Sequence, residues 1–264
     1  MDSSGVIIKR TGAVLHVMND NVRTRNALSA GYYRGLIKAL HEADEDPAIA
    51  AVVLSGAGGF FCSGGDLNVL KTRAATSHGA RVDAINGLHD VIRAILACPR
   101  PVIAAIEGGA AGAGVALALA CDLIIAADDA YFSVAYVKIG LPPDGGTTGF
   151  LGALAPRQLV NELCMFGDKL PVQRLHSLGA VNKVTPPGQA LAQAVAWGER
   201  LAMAPPAALA TIKSLVARGQ ESQVADQLER EVQAMATAQG GAEAAEGIAA
   251  FLGKRPPDFG RFRK

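Results

Sequence analysis

The chain of 264 residues carries 25 basic and 24 acidic side chains, and half of its residues are hydrophobic. A formal net charge of +1 excludes a strongly basic protein built to attract nucleic acid or an anionic membrane surface. The length fits one globular domain with room for an appended subdomain. We therefore expect neither nucleic acid nor a membrane as a partner.

The cysteines, the N-terminal segment and the most apolar stretch exclude three further classes. The four cysteines lie far apart and form no Cys-x-x-Cys pair, which favours buried free thiols over zinc or redox sites. The N-terminal segment lacks the pattern of a signal peptide. Only fourteen uncharged residues separate Glu107 from Asp122, whereas a membrane-spanning helix needs about 20. The sequence predicts a reduced, cytoplasmic protein with no metal site.

Strands and helices are predicted to alternate along the first part of the chain. Alternating apolar residues around Thr11-Gly12 predict a β-hairpin over 6–19. Further segments follow in chain order: a helix over 27–46, a strand over 49–56, a polar and poorly patterned segment over 69–80 that predicts a mobile lid, a helix over 85–97, and strands over 102–108 and 122–129. This order indicates an α/β fold with largely parallel strands.

The pattern changes near Gln189, where strand signals end. Alanine-rich helices are predicted over 189–202, 205–218 and 222–238. We therefore divide the chain into an α/β core over 1–188 and a helical region over 189–264.

Two glycine-rich turns each follow a buried strand and precede a helix. They are FFCSGGDL, over 60–67, and EGGAAGAG, over 107–114. Amides at the start of a helix are unpaired, so two such turns brought together offer two donors to one oxygen, as in an oxyanion hole. Tight turns for close packing are the alternative. A dinucleotide site fits less well, because Leu117 stands where that motif needs a small residue.

Three motifs carry a resemblance to a known family: FFCSGGDL, CPRPVIAAIEGGAAGAGVALALACDLIIAADDAYFS and IGLPPDGGTTGFL. In this order they resemble the crotonase superfamily, the enoyl-CoA hydratase/isomerase family, and the resemblance continues through the tail AFLGKRPPDF. It implies a crotonase-type spiral of ββα turns with a C-terminal helical region that forms trimers, often paired into hexamers. It also implies an acyl-CoA thioester substrate, with CoA as part of the substrate and no separate cofactor.

The resemblance assigns the oxyanion donors to particular residues. They fall on the amides of Gly65 in the first turn and Ala113 in the second, where they would hold an enolate. Gly64, Gly112 and Gly114 would shape the turns around the bound thioester.

The family's hydratases carry two glutamates that handle water and the α-proton, and neither is present. Ala116 and Tyr136 occupy the matching positions, which argues against an efficient hydratase. Asp144 matches the position that holds the working carboxylate in other branches, and one carboxylate suffices for a 1,3-proton shift. We therefore expect a double-bond isomerase, with enoyl-CoA hydratase as the alternative. A turn or helix-cap role for Asp144 is the alternative, because PPDGG is strong turn chemistry.

A second alternative uses the same carboxylate differently. His89 and Tyr136 fall where the family's aryl-CoA dehalogenases keep a water-activating histidine and a substrate-contacting aromatic residue. Together with Asp144 they would support thioester hydrolysis or dehalogenase-like chemistry. A histidine on an amphipathic helix is also often only a packing residue. A non-catalytic acyl-CoA-binding family member is the remaining alternative.

Three basic residues are candidates for binding the CoA phosphates. Arg23 and Arg25 precede the first long helix, where the family often places a phosphate-binding base. Lys254 resembles a tail lysine that reaches the CoA of a neighbouring subunit. Each of the three is alternatively a plain surface charge.

Overall fold

The fold is of the α/β class, and a computed structural model describes residues 5–262, apart from the side chains of 218–225 and 260. Its strands are β1 (Val6–Thr11), β2 (Val14–Asn19), β3 (Ala51–Gly56), β4 (Val102–Ile106), β5 (Gly109–Ala111), β6 (Leu123–Ala127), β7 (Tyr131–Ser133), β8 (Leu170–Pro171) and β9 (Lys183–Thr185). Its α-helices are α1 (Ala30–Glu45), α2 (Leu67–Arg73), α3 (His78–Ala97), α4 (Ala113–Leu119), α5 (Thr147–Leu154), α6 (Arg157–Phe166), α7 (Val172–Ser177), α8 (Ala190–Leu201), α9 (Pro206–Gln239) and α10 (Ala242–Leu252).

Six strands form the main sheet, in the order β1-β2-β3-β4-β6-β9. The hairpin of β1 and β2 is antiparallel, and every following pair is parallel, so the predicted α/β class and pairing are confirmed. All five residues of β4 are buried. Continuous apolar sequence is typical of parallel strands covered on both faces.

A second sheet, ordered β5-β7-β8, positions the glycine-rich turns. Cys62 of the first turn pairs with Ala110 of β5, and Leu28 pairs with Gly65. The first turn is therefore held between the chain entering α1 and the small sheet, directly beside the second turn.

Helix α8 covers one face of the main sheet. Its buried residues Ala190 and Ala194 pack against Val14, Val53 and Ile103. A helix after the predicted boundary at 188/189 thus contributes to the packing of the sheet. The division of the chain at this boundary stays a prediction.

Two local expectations differ from the structure. The helices predicted over 205–218 and 222–238 are one helix, α9, of 34 residues. Residues 67–73 form α2, and α3 already begins at His78, so most of the poorly patterned segment over 69–80, predicted to be a mobile lid, is helical. Side-chain caps at Asp66 and Ser77 start these two helices where apolar periodicity is weak. Within residues 5–262, no helix has the length and apolar character needed to cross a membrane.

Candidate active site

The two glycine-rich turns meet backbone to backbone. Gly64 has φ +91°, and a Cβ placed on it would lie 2.8 Å from the Ala111 carbonyl oxygen and 3.1 Å from the Ala113 nitrogen. A side chain at Gly64 would therefore be strained and would push the turns apart. Gly114 of the second turn packs tightly against Cys62 of the first turn: a Cβ on Gly114 would lie 2.5 Å from the Cys62 carbonyl oxygen.

The amides of Gly65 and Ala113 have the local setting expected of oxyanion donors. Ala113 is the first residue of α4, and Gly65 precedes the Asp66 cap of α2. Between residues 5 and 262, neither amide donates a hydrogen bond to a described group. Gly112, with φ +51°, donates instead to the Ser133 carbonyl oxygen at 2.9 Å, which fixes the second turn.

Asp144 is a buried carboxylate in the loop that precedes α5. Its side chain accepts a hydrogen bond from the Tyr136 hydroxyl at 2.8 Å, and Asp144 is 8% exposed. Burial raises the pKa of Asp144 to about 6, while the Tyr136 hydrogen bond and the charge of Arg73 act in the opposite direction. Burial likewise raises the pKa of Tyr136, which keeps this phenol a hydrogen-bond donor. Asp144 thus changes charge close to neutral pH.

Ala116 connects the Asp144 loop to the second glycine-rich turn. It is fully buried on α4, and a Cβ on Gly145 would lie 2.7 Å from the Ala116 methyl carbon and 3.0 Å from Leu88. The residue directly after Asp144 therefore lies against α4. The Gly145 backbone packs directly on the Ala116 methyl group.

His89 acts on the same loop through the backbone. Its Nε2 accepts a hydrogen bond from the Gly145 amide at 3.2 Å, and the residue is fully buried. Burial lowers the pKa of His89 to about 4, with a smaller contribution from Arg93, so the ring is neutral at physiological pH. Because Nε2 accepts, the proton lies on Nδ1, which has no partner among the described residues. The structure thus gives His89 a contact with the loop.

Glu231 on α9 is a residue that the sequence analysis missed. Its carboxylate accepts hydrogen bonds from the Gly146 amide at 2.6 Å and from the Thr148 amide at 3.1 Å. It therefore caps α5, a role that the sequence had offered to Asp144 as an alternative. One signal was available: Glu231 shares a helical face with the buried residues Leu228 and Val232, and a charge on an apolar face is unusual.

Of the three predicted phosphate-binding residues, Arg25 lines a cavity. The cavity has a volume of about 330 Å³ and is also lined by Lys169, and these two cations stack on Phe60 and Tyr131 respectively. Arg23 and Lys254 are exposed and do not line this cavity.

The fold and the paired glycine-rich turns define a protein of the crotonase type. The chain belongs to the enoyl-CoA hydratase/isomerase family, whose model matches residues 9–262. It is 33% identical to a 1,2-epoxyphenylacetyl-CoA isomerase of Escherichia coli over 89% of this chain and 90% of that protein. It is 31% identical to a 2,3-dehydroadipyl-CoA hydratase of Escherichia coli over 97% of this chain and 98% of that protein. The structure of an enoyl-CoA hydratase from Mycobacterium avium subsp. paratuberculosis superposes with a TM-score of 0.86 at 29% identity, covering 97% of this chain and 98% of that chain.

Proposed function

We propose that the protein is an acyl-CoA double-bond isomerase in which Asp144 carries the proton. The observation that carries this proposal is a buried carboxylate with a pKa of about 6, beside a position where Ala116 supplies no second acid. A group that titrates near neutral pH is suited both to remove and to return a proton.

The reaction uses the residues of the site in the following way. Ionised Asp144 takes a proton from a carbon of the acyl chain, and the electron pair of that C–H bond moves into the conjugated system. Negative charge develops on the thioester oxygen, where the amides of Gly65 and Ala113 stabilise it. Asp144 then returns the proton to another carbon, so the double bond moves and no atom is gained or lost. Loss of one such donor typically costs about 10² to 10³ in rate.

The cavity beside the turns supports binding of the CoA moiety. Arg25 and Lys169 supply positive charge to a chain that has almost no net charge, and Phe60 and Tyr131 supply flat apolar surfaces. Arg23 remains a proposed accessory contact. Lys254 remains a proposed contact to the CoA of a neighbouring subunit in a homotrimer or a dimer of trimers. We further propose a cytoplasmic location.

The alternative reactions use the same site with different groups. Hydration requires two groups, and the chain has alanine and tyrosine where the family's hydratases carry glutamates. Hydrolysis or dehalogenase-like chemistry through His89 requires a free Nε2, but the Gly145 amide already donates to this atom. Isomerisation requires neither the two glutamates of the hydratases nor a free His89 nitrogen.

A panel of enoyl-, dienoyl- and aryl-CoA esters analysed by mass spectrometry and absorbance tests this proposal. Isomerisation leaves the mass unchanged and shifts the absorbance, whereas hydration adds water and hydrolysis releases free CoA. Asp144→Asn should lose most turnover and keep ester binding by calorimetry, while the exposed control Asp129→Asn should retain both. Rapid hydration of crotonyl-CoA, or full activity of Asp144→Asn, would overturn the proposal. Binding without turnover of any ester would support a non-catalytic member instead.

A further inference from the structure

Two glycines follow Asp144 directly, and buried side chains from other elements hold both of them. Gly145 and Gly146 have φ values of +68° and +79°, which glycine adopts readily because it has no side chain. Their own side chains therefore do not restrict this part of the loop. The Gly145 amide donates to His89 on α3, and the Gly146 amide donates to Glu231 on α9. The position of Asp144 therefore depends on groups outside its own loop.

Of these two side chains, Glu231 accepts more hydrogen bonds than His89 does. It is 4% exposed and accepts from the Gly146 amide, the Thr148 amide and the Thr148 hydroxyl. Gln227, one helical turn earlier on α9, donates in turn to the Thr148 hydroxyl oxygen. These contacts satisfy the carboxylate at the start of α5, where the helix dipole favours negative charge.

We propose that Glu231 is a positioning residue: its ionised carboxylate fixes the loop that presents Asp144, and protonation of Glu231 loosens that loop and slows turnover. This inference rests on the proposed role of Asp144 in proton transfer.

Burial and nearby charges place the ionisation of Glu231 close to neutral pH. Burial is the main cause that raises the pKa of Glu231 to about 7, and the charge of Asp144 raises it further, while the bonds from Thr148 and Gly146 lower it. Two titratable groups from other elements also interact with Glu231: its negative charge contributes to raising the pKa of Tyr136 and of Cys164.

Both carboxylates titrate close to neutral pH. Burial raises the pKa of Asp144 to about 6, and burial together with the charge of Asp144 raises the pKa of Glu231 to about 7. A protonated carboxyl accepts weaker hydrogen bonds than a carboxylate, so the Gly146 and Thr148 amides are held less firmly below pH 7. Turnover should therefore rise through two inflections, of which the upper one belongs to Glu231.

The pH profile of kcat distinguishes this role from a merely structural one. Wild type should show inflections near pH 6 and pH 7 on the best ester of the panel. Glu231→Gln should lose the upper inflection, keep the lower one, and lower kcat by about 10- to 100-fold with KM little changed. The exposed Glu229→Gln, on the same helix, should retain both inflections. An unaltered profile in Glu231→Gln, or a loss that falls on KM alone, would overturn the inference.

Two further measurements cover variants that fold poorly and a protein without turnover. Thr148→Val removes one hydrogen bond to Glu231, so the upper inflection should move to higher pH; no movement would count against the inference. Hydrogen–deuterium exchange at pH 7.5 should be faster in the peptide containing Gly146 and Thr148 in Glu231→Gln than in Glu229→Gln. Equal exchange would overturn the inference even if no ester were turned over, whereas absence of turnover in wild type contradicts only the proposed function.

Discussion

Replacing Asp144 by asparagine should make the protein more stable at pH 8 while it removes most of the activity. Asparagine has nearly the same size and still accepts the hydrogen bond of the Tyr136 hydroxyl. What it lacks is the negative charge, which the folded protein holds in a buried site. The substitution therefore separates the energetic cost of this carboxylate from its chemical use.

The size of the gain follows from the pKa of Asp144. The carboxyl loses its proton near pH 3.8 in an unfolded chain and near pH 6 in the folded protein, because burial opposes the charged form. The folded state is penalised progressively between these values, and the penalty is complete above pH 6 and absent below pH 3.8. At 1.36 kcal/mol for each unit of pKa, the penalty is about 3 kcal/mol, which is the upper limit of the gain.

Urea unfolding at pH 8 and pH 4, at one protein concentration, measures this effect. We expect Asp144→Asn to raise the free energy of unfolding at pH 8 by about 1 to 3 kcal/mol and to have little effect at pH 4. The exposed Asp129→Asn should change stability at neither pH. No gain at pH 8, or an equal gain at both pH values, would refute the argument that burial of this charge costs stability.

Three other substitutions test the remaining parts of the site. Gly64→Ala should lower kcat/KM by about 10² or more, because the new methyl group would press on the Ala113 amide, while Gly179→Ala, also at positive φ but with open space around it, should be neutral by the same assay. His89→Ala should lower the free energy of unfolding in urea at pH 7 by about 3 kcal/mol, because it leaves a cavity and an unpaired amide; a change below about 0.5 kcal/mol would contradict this packing role. Arg25→Ala should weaken binding of a CoA ester in calorimetry by about 10-fold, more than Arg23→Ala, and equal losses would argue against the cavity as the CoA site.

The sequence alone was enough to predict the elements that depend on local pattern. Buried parallel strands need continuous apolar residues, and turns at positive φ need glycine, so β3, β4 and the turn at Gly64 can be read from neighbouring residues. Asp144 was identified because the motif IGLPPDGGTTGFL resembles the family segment that holds the working carboxylate. The α/β class and its parallel pairing followed from the order of these local signals.

Only the tertiary structure decided which distant residues act on the Asp144 loop. Glu231 lies 85 residues from Gly146 along the chain, and His89 lies 56 residues from Gly145. Such contacts depend on how α9 packs against both α3 and α5, which no local pattern specifies. A glutamate on a helix is most often a solvated charge. The packing of α9 instead places Glu231 against the first amides of α5, which it caps, and burial there raises its pKa to about 7.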